Sequence, residues 1–496
     1  MTSSVTINRL RTGVRGLDSV LGGGLPELSF NIIAGPPGSG KTTLAHQMMF
    51  AMVSPEKPAL YVTVLGEPPL KMLRYQQQFT FFDPALVNAS VHFLNLAEEA
   101  LSGDLDAVLQ RISAVVAERR PGFVFVDSFR SVVQASEGGN GAPTRLQKFV
   151  QELGVLMTSW QATTFLIGEY LADADANPVF TVADGIVWMT QRVQRNSVVR
   201  KLEVRKMRGQ PTLPGLHPFR IGVGGIAVYP PAVIEPHVAI RPSTVTPESR
   251  LHMGVPSLDE MMGGGLPRGY SLLVAGPSGS GKSLLAAAFL AEGARAGERG
   301  VIVPFEQHPN RSRSPLVTEL VESGAVALVD SRAPDLSIEE VVGLLQDDIR
   351  TLGATRVVID SLSGFELALA PSFQEDFRES LARMVTALAS TGVTVLMTSE
   401  LEDRYIDLRF SPYGTAFLTD AIIVQRYIEI DSQLRRVMAV VKLRASMHSN
   451  ELREYTIDAD GIRIGTMLAD HDGLLGGRPA LKLARPPTVS HDARPA

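Results

Sequence analysis

Short runs of apolar residues recur along this chain, separated by longer stretches in which apolar positions return with helical spacing. In the first half the runs are Phe30–Ala34, Ala59–Val64, Gly122–Asp127 and Thr163–Ile167. In the second half they are Ser271–Ala275, Gly300–Val303, Arg356–Asp360 and Val393–Met397. Runs of this length predict strands buried on both faces, and the patterns between them predict crossover helices, beginning with Thr42–Ala51. The expected fold class is α/β, with mainly parallel central sheets covered by helices. Two longer patterns, Val198–Val204 and Arg436–Val441, predict extended strands late in each half.

The halves are copies of one another. Residues 13–42 and 254–283 align without a gap and agree at more than half of their positions, including Gly13/Gly254, Leu17/Leu258, Asp18/Asp259 and Pro26/Pro267. A repeat this long marks whole domains. The proline-punctuated stretches Val228–His237 and Arg241–Pro247 read as an extended connector. The expected division is a first domain at 1–243 including that connector, a second at 244–470, and a flexible tail at 471–496, where periodicity stops. Ala135–Pro143, rich in glycine, reads as a mobile loop within the first domain.

Composition narrows the setting. Of 496 residues, 45% are hydrophobic, 20% are charged and none is cysteine, so neither a disulfide framework nor a thiolate metal site is available. The start has no basic segment leading into an apolar core, and no stretch reaches the roughly 18 apolar residues of a membrane span, so the expectation is a cytoplasmic protein without a membrane partner. A net charge of −5 leaves no surplus of cations for phosphates and argues against constitutive nucleic-acid binding.

Each copy carries a loop suited to phosphate. Gly35-Pro-Pro-Gly38-Ser39-Gly40-Lys41-Thr42-Thr43 and Gly276-Pro-Ser-Gly279-Ser280-Gly281-Lys282-Ser283-Leu284 both follow a predicted strand and open a predicted helix. Glycines let consecutive backbone N–H groups converge on phosphate oxygens, and the helix adds the positive end of its dipole. Lys41 and Lys282 are expected at the terminal phosphates, with the Thr42 and Ser283 hydroxyls on Mg²⁺. Asp127 and Asp360 close apolar runs and are each followed by serine, which places a carboxylate at a strand end, where phosphate-bound Mg²⁺ takes a direct ligand or a partner for its bound water.

A third doubled feature is Lys206-Met-Arg208 and Lys442-Leu-Arg444, with cations at i and i+2 on one strand face. Set late in each unit and far in sequence from that unit's own loop, such cations suit the γ-phosphate on a neighbouring subunit. His308 and His448 lack a partner at metal-ligand spacing and read as surface or packing residues, and Trp160 and Trp188 read as core anchors.

Together, the doubled Gly-Gly-Gly-Leu-Pro turns, phosphate loops, Asp-Ser strand ends and Lys-x-Arg strands resemble the KaiC family of RecA-like ATPases, over about residues 10–470. The resemblance implies two tandem RecA-like P-loop NTPase domains, ATP with Mg²⁺ as ligand, and a homo-oligomeric hexamer with ATP between adjacent subunits. It also implies a catalytic glutamate after the second strand of each unit, and autokinase activity in the second unit of clock-type members. Val303-Pro-Phe-Glu306-Gln307 keeps the first of the family's paired glutamates and replaces the second. Thr63-Val-Leu-Gly-Glu67-Pro keeps neither, with Glu67 two residues further on as the substitute.

The clock-type phosphoacceptor stretch reads here Ala416-Phe-Leu-Thr419-Asp-Ala421, without a hydroxyl pair at the family's positions; Ser411, Thr415 and Thr419 are the nearby hydroxyls. Three readings follow. The first is a ring ATPase acting as a nucleotide-dependent signalling switch on an unknown protein partner, with hydrolysis mainly in the second domain. The second is a Ser/Thr autokinase, for which phosphorylation at Ser411, Thr415 or Thr419 is the discriminating observation. The third is a RecA-class DNA repair or recombination motor, against which the acidic balance and the missing cysteines argue.

Overall fold

The apolar runs become the buried strands of two nine-stranded sheets in a computed structural model of the chain. The described residues are 7–64, 69–97, 99, 105–127, 142–159, 161–170, 178–194, 197–231, 250–305, 314–329, 335–374, 377–401, 418–468, 471–472 and 480–481. They divide into two compact units, Met1–Pro231 and Ala232–Ala496.

The first unit runs β1 (Phe30–Gly35), α1 (Lys41–Met52), β2 (Ala59–Thr63), β3 (Val91–Asn95), α2 (Leu105–Arg119), β4 (Phe123–Asp127), α3 (Ala142–Ser159) and β5 (Thr163–Glu169). It ends with β6 (Gly185–Gln194), β7 (Ser197–Met207), β8 (His217–Gly222) and β9 (Gly225–Val228). The sheet order is β9-β8-β7-β6-β1-β5-β4-β2-β3. The strands from β6 to β3 in that order are parallel, and β7, β8 and β9 continue the sheet antiparallel.

The second unit repeats the plan. Its elements are β10 (Ser271–Gly276), α4 (Lys282–Arg295), β11 (Gly300–Pro304), β12 (Val326–Leu328), α5 (Ile338–Leu352), β13 (Arg356–Asp360), α6 (Phe377–Ser390) and β14 (Thr394–Glu400). They are followed by β15 (Ala421–Ile430), β16 (Gln433–Leu443), β17 (Arg453–Asp458) and β18 (Gly461–Met467). Read from its antiparallel edge the order is β18-β17-β16-β15-β10-β14-β13-β11-β12, matching the first unit strand for strand. The α/β class with mainly parallel sheets is the one the sequence pattern predicts.

Alternation along the strands sorts the core into two layers per unit. Ile33 and Tyr61 face the cluster under α1, with Leu44 and Met48, while Ile32 and Val62 face the opposite cluster with Val108 and Ile112 of α2 and Leu153 of α3. The second unit divides likewise: Leu285 and Phe289 of α4 lie in one cluster, Leu345 of α5 and Leu381 of α6 in the other. Burial on both faces explains why the parallel strands read as continuous apolar runs.

Each Gly-Gly-Gly-Leu-Pro turn returns the chain to a two-residue strand just before it, Arg9–Leu10 with Leu25–Pro26 and Arg250–Leu251 with Leu266–Pro267. A Cβ on Gly24, at φ 127°, would stand 2.4 Å from the Leu10 carbonyl oxygen, and one on Gly265 2.5 Å from that of Leu251. Only glycine fits so close a backbone approach. Residues 471–472 pair antiparallel with 480–481. Residues 135–141 of the expected mobile loop lie outside the described residues, and Ala142 opens α3.

Candidate functional site

The first phosphate loop spans the gap between the end of β1 at Gly35 and the start of α1 at Lys41, over the C-terminal edge of the parallel strands. Gly40 enters the helix at φ 97°, as Gly281 does at φ 96° in the second unit. A side chain on Gly35 would lie 2.1 Å from the Met189 carbonyl oxygen, so the loop packs directly on β6. Thr42 and Thr43, and Ser283 and Leu284, fall in the first helical turns behind the loops. Ser39 and Ser280 are buried within the loops, and Ser280 Oγ donates to Gln425 Oε1 at 3.0 Å. The Tyr455 hydroxyl donates to the Ser280 carbonyl at 2.5 Å, bracing the second loop.

Both loop lysines fold over their own loops. Lys41 Nζ donates to the Pro36 carbonyl at 2.8 Å and Lys282 Nζ to that of Pro277 at 2.7 Å. Burial pushes the Lys41 ammonium below its usual range, against the opposing pull of Glu169 and Asp127. Lys282 is pushed down in the same way, opposed by Glu400 and Asp360.

The two strand-end aspartates sit beside these lysines. Asp127 Oδ2 accepts from Thr42 Oγ1 at 2.9 Å and from the Tyr61 hydroxyl at 2.7 Å. Burial raises the Asp127 carboxyl above its usual range, and the Tyr61 and Thr42 hydrogen bonds work against that rise. Asp360 Oδ1 accepts from Thr398 Oγ1. A hydroxyl and a carboxylate 85 positions apart in sequence thus meet at the first loop, a hard-oxygen pair of the kind that suits Mg²⁺ alongside phosphate oxygens.

Sequence reasoning missed Glu169 and Glu400. Each ends the strand next to the loop strand, in register with its first glycine: Gly35 with Glu169 and Gly276 with Glu400. The apolar runs predicting these strands stop at Ile167 and Met397. The available signal was the same glutamate standing two or three residues past both run ends.

Glu67 and Glu306 lie outside the described residues. The chain leading to each departs beside the corresponding aspartate, Val64 N–H donating to the Asp127 carbonyl at 2.9 Å and Phe305 N–H to that of Asp360 at 2.6 Å. Ser411 and Thr415 also lie outside, whereas Thr419 is fully buried.

The Lys-x-Arg pairs stand at the other end of the sheet. Lys206 pairs with Ile186 at the start of β6, beside Ile32, three residues before the loop glycine, and Lys442 pairs with Ile422 beside Leu273, three residues before Gly276. At about 3.3 Å per strand residue each lysine is set back roughly 10 Å along the strands from the first glycine of its own loop. A register shift follows Ile186 and again Ile422, so one extra residue precedes each lysine in both copies.

Lys206 Nζ donates to the Phe180 and Thr181 carbonyls at 3.2 and 3.1 Å, and Lys442 Nζ to that of Thr419 at 2.6 Å. Arg208 pairs with Asp184 at 3.1 Å and Arg444 with Asp420 at 3.3 Å, with the arginine side chains 58% and 52% exposed. The same carboxylates also accept the first N–H of the loop strands, from Phe30 to Asp184 and from Ser271 to Asp420, both at 3.0 Å. Among the described residues no helix is long and apolar enough to cross a membrane.

Comparison with known proteins finds a match in both halves. The family model described as "ATPase: KaiC" matches residues 10–233 and 251–468. The chain is similar to the circadian clock oscillator protein KaiC of Picosynechococcus sp., 27% identical over 492 residues that cover 95% of this chain and 92% of that one. It is 26% identical to the KaiC protein of Prochlorococcus marinus over 496 residues, 96% of this chain and 97% of that one. Against KaiC 1 of Synechocystis sp. the identity is 26% over 492 residues, 95% and 92% of the two chains.

Proposed function

This chain belongs to the KaiC family of ATPases, and on that footing we propose that it is a ring-forming switch whose nucleotide state sets a conformational or partner-binding output. The ring is a homo-oligomer, a hexamer, built of a first module at 1–243 and a second at 244–470, with 471–496 as a tail. ATP sits at each loop between adjacent subunits, and the protein acts in the cytoplasm on a protein partner rather than on nucleic acid.

The observation that carries this reading is the placement of Lys206, Arg208, Lys442 and Arg444 at the opposite sheet edge from their own loops. Arginines held there by Asp184 and Asp420, beside lysines that donate to backbone carbonyls, do not serve the loop of the same unit and are set to serve that of the next. The residues at each loop fit a magnesium nucleotide: a Cβ on Gly35, Gly40, Gly276 or Gly281 would stand within 2.8 Å of a neighbouring atom, and Thr42 with Asp127 brings hard oxygens together. Thr42 with Asp127, and Ser283 with Asp360, would hold Mg²⁺. The ion's contribution is to neutralise charge on the phosphates. Lys41 and Lys282 orient the terminal phosphate, Arg208 and Arg444 lend positive charge from the neighbour, and Glu306 positions water by accepting its proton in the second layer.

Glu67 stands beyond the family position for that carboxylate, so the first layer binds ATP and turns it over slowly, contributing assembly. Steady-state ATPase and bound nucleotide of wild type, Glu306→Gln and Glu67→Gln, with native mass on the same samples, test the division. Loss of turnover in Glu306→Gln with ATP retained in a six-fold assembly supports it. Loss concentrated in Glu67→Gln makes the first layer the engine and overturns it.

A further inference from the structure

Each strand-end aspartate accepts a buried hydroxyl, but the two copies of the fold supply it from opposite sides. In the second unit the donor is Thr398 on β14, the strand lateral to Asp360 on one flank of β13. In the first unit the corresponding residue is Ile167, paired directly with Asp127 and carrying no hydroxyl. There the donor is Tyr61, from β2 on the other flank of β4, whose ring lies on the α1 face and whose hydroxyl reaches two residues along the strand to Asp127. The second unit has Ile302 at the position of Tyr61. Tyr and Ile on one flank therefore trade places with Ile and Thr on the other, and each carboxylate keeps one buried donor.

Space for the tyrosine comes from further changes in the same layer. Tyr61 is fully buried, tilted against His46 of α1 at 4.5 Å and stacked on Phe125 at 6.0 Å. At the position of His46 the second unit carries Ala287, and at that of Phe125 it carries Val358.

We propose that Tyr61 is the positioning residue of the first nucleotide site, fixing the Asp127 carboxylate toward Thr42 and the nucleotide-bound Mg²⁺, as Thr398 fixes Asp360 in the second. The inference rests on the magnesium-nucleotide reading given above. A tyrosine serving only as core filling predicts no change in metal dependence when its hydroxyl is removed. A positioning hydroxyl predicts a weaker metal site, because outer-shell partners set the orientation of the ligand they hold.

The test uses the full chain carrying Lys282→Ala, so that the first loop alone reports, and follows binding of ATP bearing a fluorescent N-methylanthraniloyl group as Mg²⁺ is titrated. Adding Tyr61→Phe is expected to raise the half-saturating Mg²⁺ about tenfold. Adding Ile167→Thr to that variant moves the donor to the other flank and is expected to restore the parent value to within about twofold. Tryptophan fluorescence confirms that the first unit is folded in each Tyr61 and Ile167 variant, and circular dichroism does so for the second-unit variants. In the Lys41→Ala chain, Thr398→Val is expected to raise the Mg²⁺ requirement of the second loop by a similar factor, which keeps the idea testable should Tyr61→Phe not fold. Mg²⁺-dependent binding in the parent with a curve unmoved by Tyr61→Phe, or a loss that Ile167→Thr leaves unrepaired, overturns the positioning role and spares the nucleotide reading. A Lys282→Ala parent that binds no labelled ATP at any Mg²⁺ concentration overturns both.

Discussion

Acidification should destabilise the first unit through His46, and the effect can be isolated from every other titrating group. His46 is fully buried in α1 against Tyr61, and burial, opposed only by Gln76, pushes its imidazole down to about 3. The native state therefore holds it neutral, while the unfolded chain takes up a proton near the usual value of 6.5. Because the unfolded state binds more protons, stability rises with pH: the contribution is complete above pH 6.5, declines through the interval to pH 3, and levels off below. At pH 5 the loss is RT times the logarithm of a factor of about 30, or ~2 kcal/mol. Leucine at position 46 removes the titration and keeps an apolar side chain of similar reach. Urea unfolding read by tryptophan fluorescence assigns the result to the right unit, since Trp160 and Trp188 are the chain's 2 tryptophans and both precede residue 231. The stability gap between wild type and His46→Leu should shift by ~2 kcal/mol in favour of the variant between pH 8 and pH 5, a midpoint change of about 0.7 M urea. A gap constant to within about 0.5 kcal/mol would refute a buried neutral imidazole.

Two further outcomes are expected. In Arg444→Ala chains the second-layer ATPase should fall about 10³-fold, and mixing them with Lys282→Ala chains should recover activity, up to about a quarter of wild type for random assembly, because intact Arg444 then meets intact loops. Absence of recovery after verified subunit exchange means that the cation does not act on the neighbour. Glu169→Gln and Glu400→Gln each remove a carboxylate whose field reaches a loop lysine, and calorimetric titration should find ATP bound about three- to tenfold tighter because the phosphates no longer face that charge. Weaker binding would assign these glutamates to holding the site together.

Much of the fold was legible because two-sided burial writes itself as apolar runs. Phe30–Ala34 and Ser271–Ala275 could be read as loop strands since each meets glycine at the phosphate turn, and Asp127 and Asp360 stood out as charges closing such runs. The antiparallel ends of the sheets were not legible. β17 and β18 are mostly half-exposed and interrupted by charge, and β8 and β9 are short segments whose few apolar residues are separated by the turn at Gly222–Gly225, so these strands are added outward from β7 and β16 rather than announced by their own pattern. Glu169 escaped because Gly168 breaks its run, and Glu400 because Thr398 and Ser399 do. Tyr61 carried no local signal: an aromatic residue inside a strand reads as core, and the carboxylate it serves lies 66 positions away.

The carboxylates of Asp184 and Asp420 each hold two things at once, the arginine that faces outward and the first N–H of the strand ending in the phosphate loop. Between those ends runs a single six-residue strand, paired over all six residues on one side and over its central four on the other. Such a strand transmits displacement and does not absorb it. In a closed ring, an arginine drawn toward the next subunit's phosphates would tug the base of its own loop strand like a push-rod, and occupancy at one interface would bias the cradle at the next. Information would then circulate in one sense around the ring, set by chain polarity, without any subunit having to unfold or re-dock to pass it on.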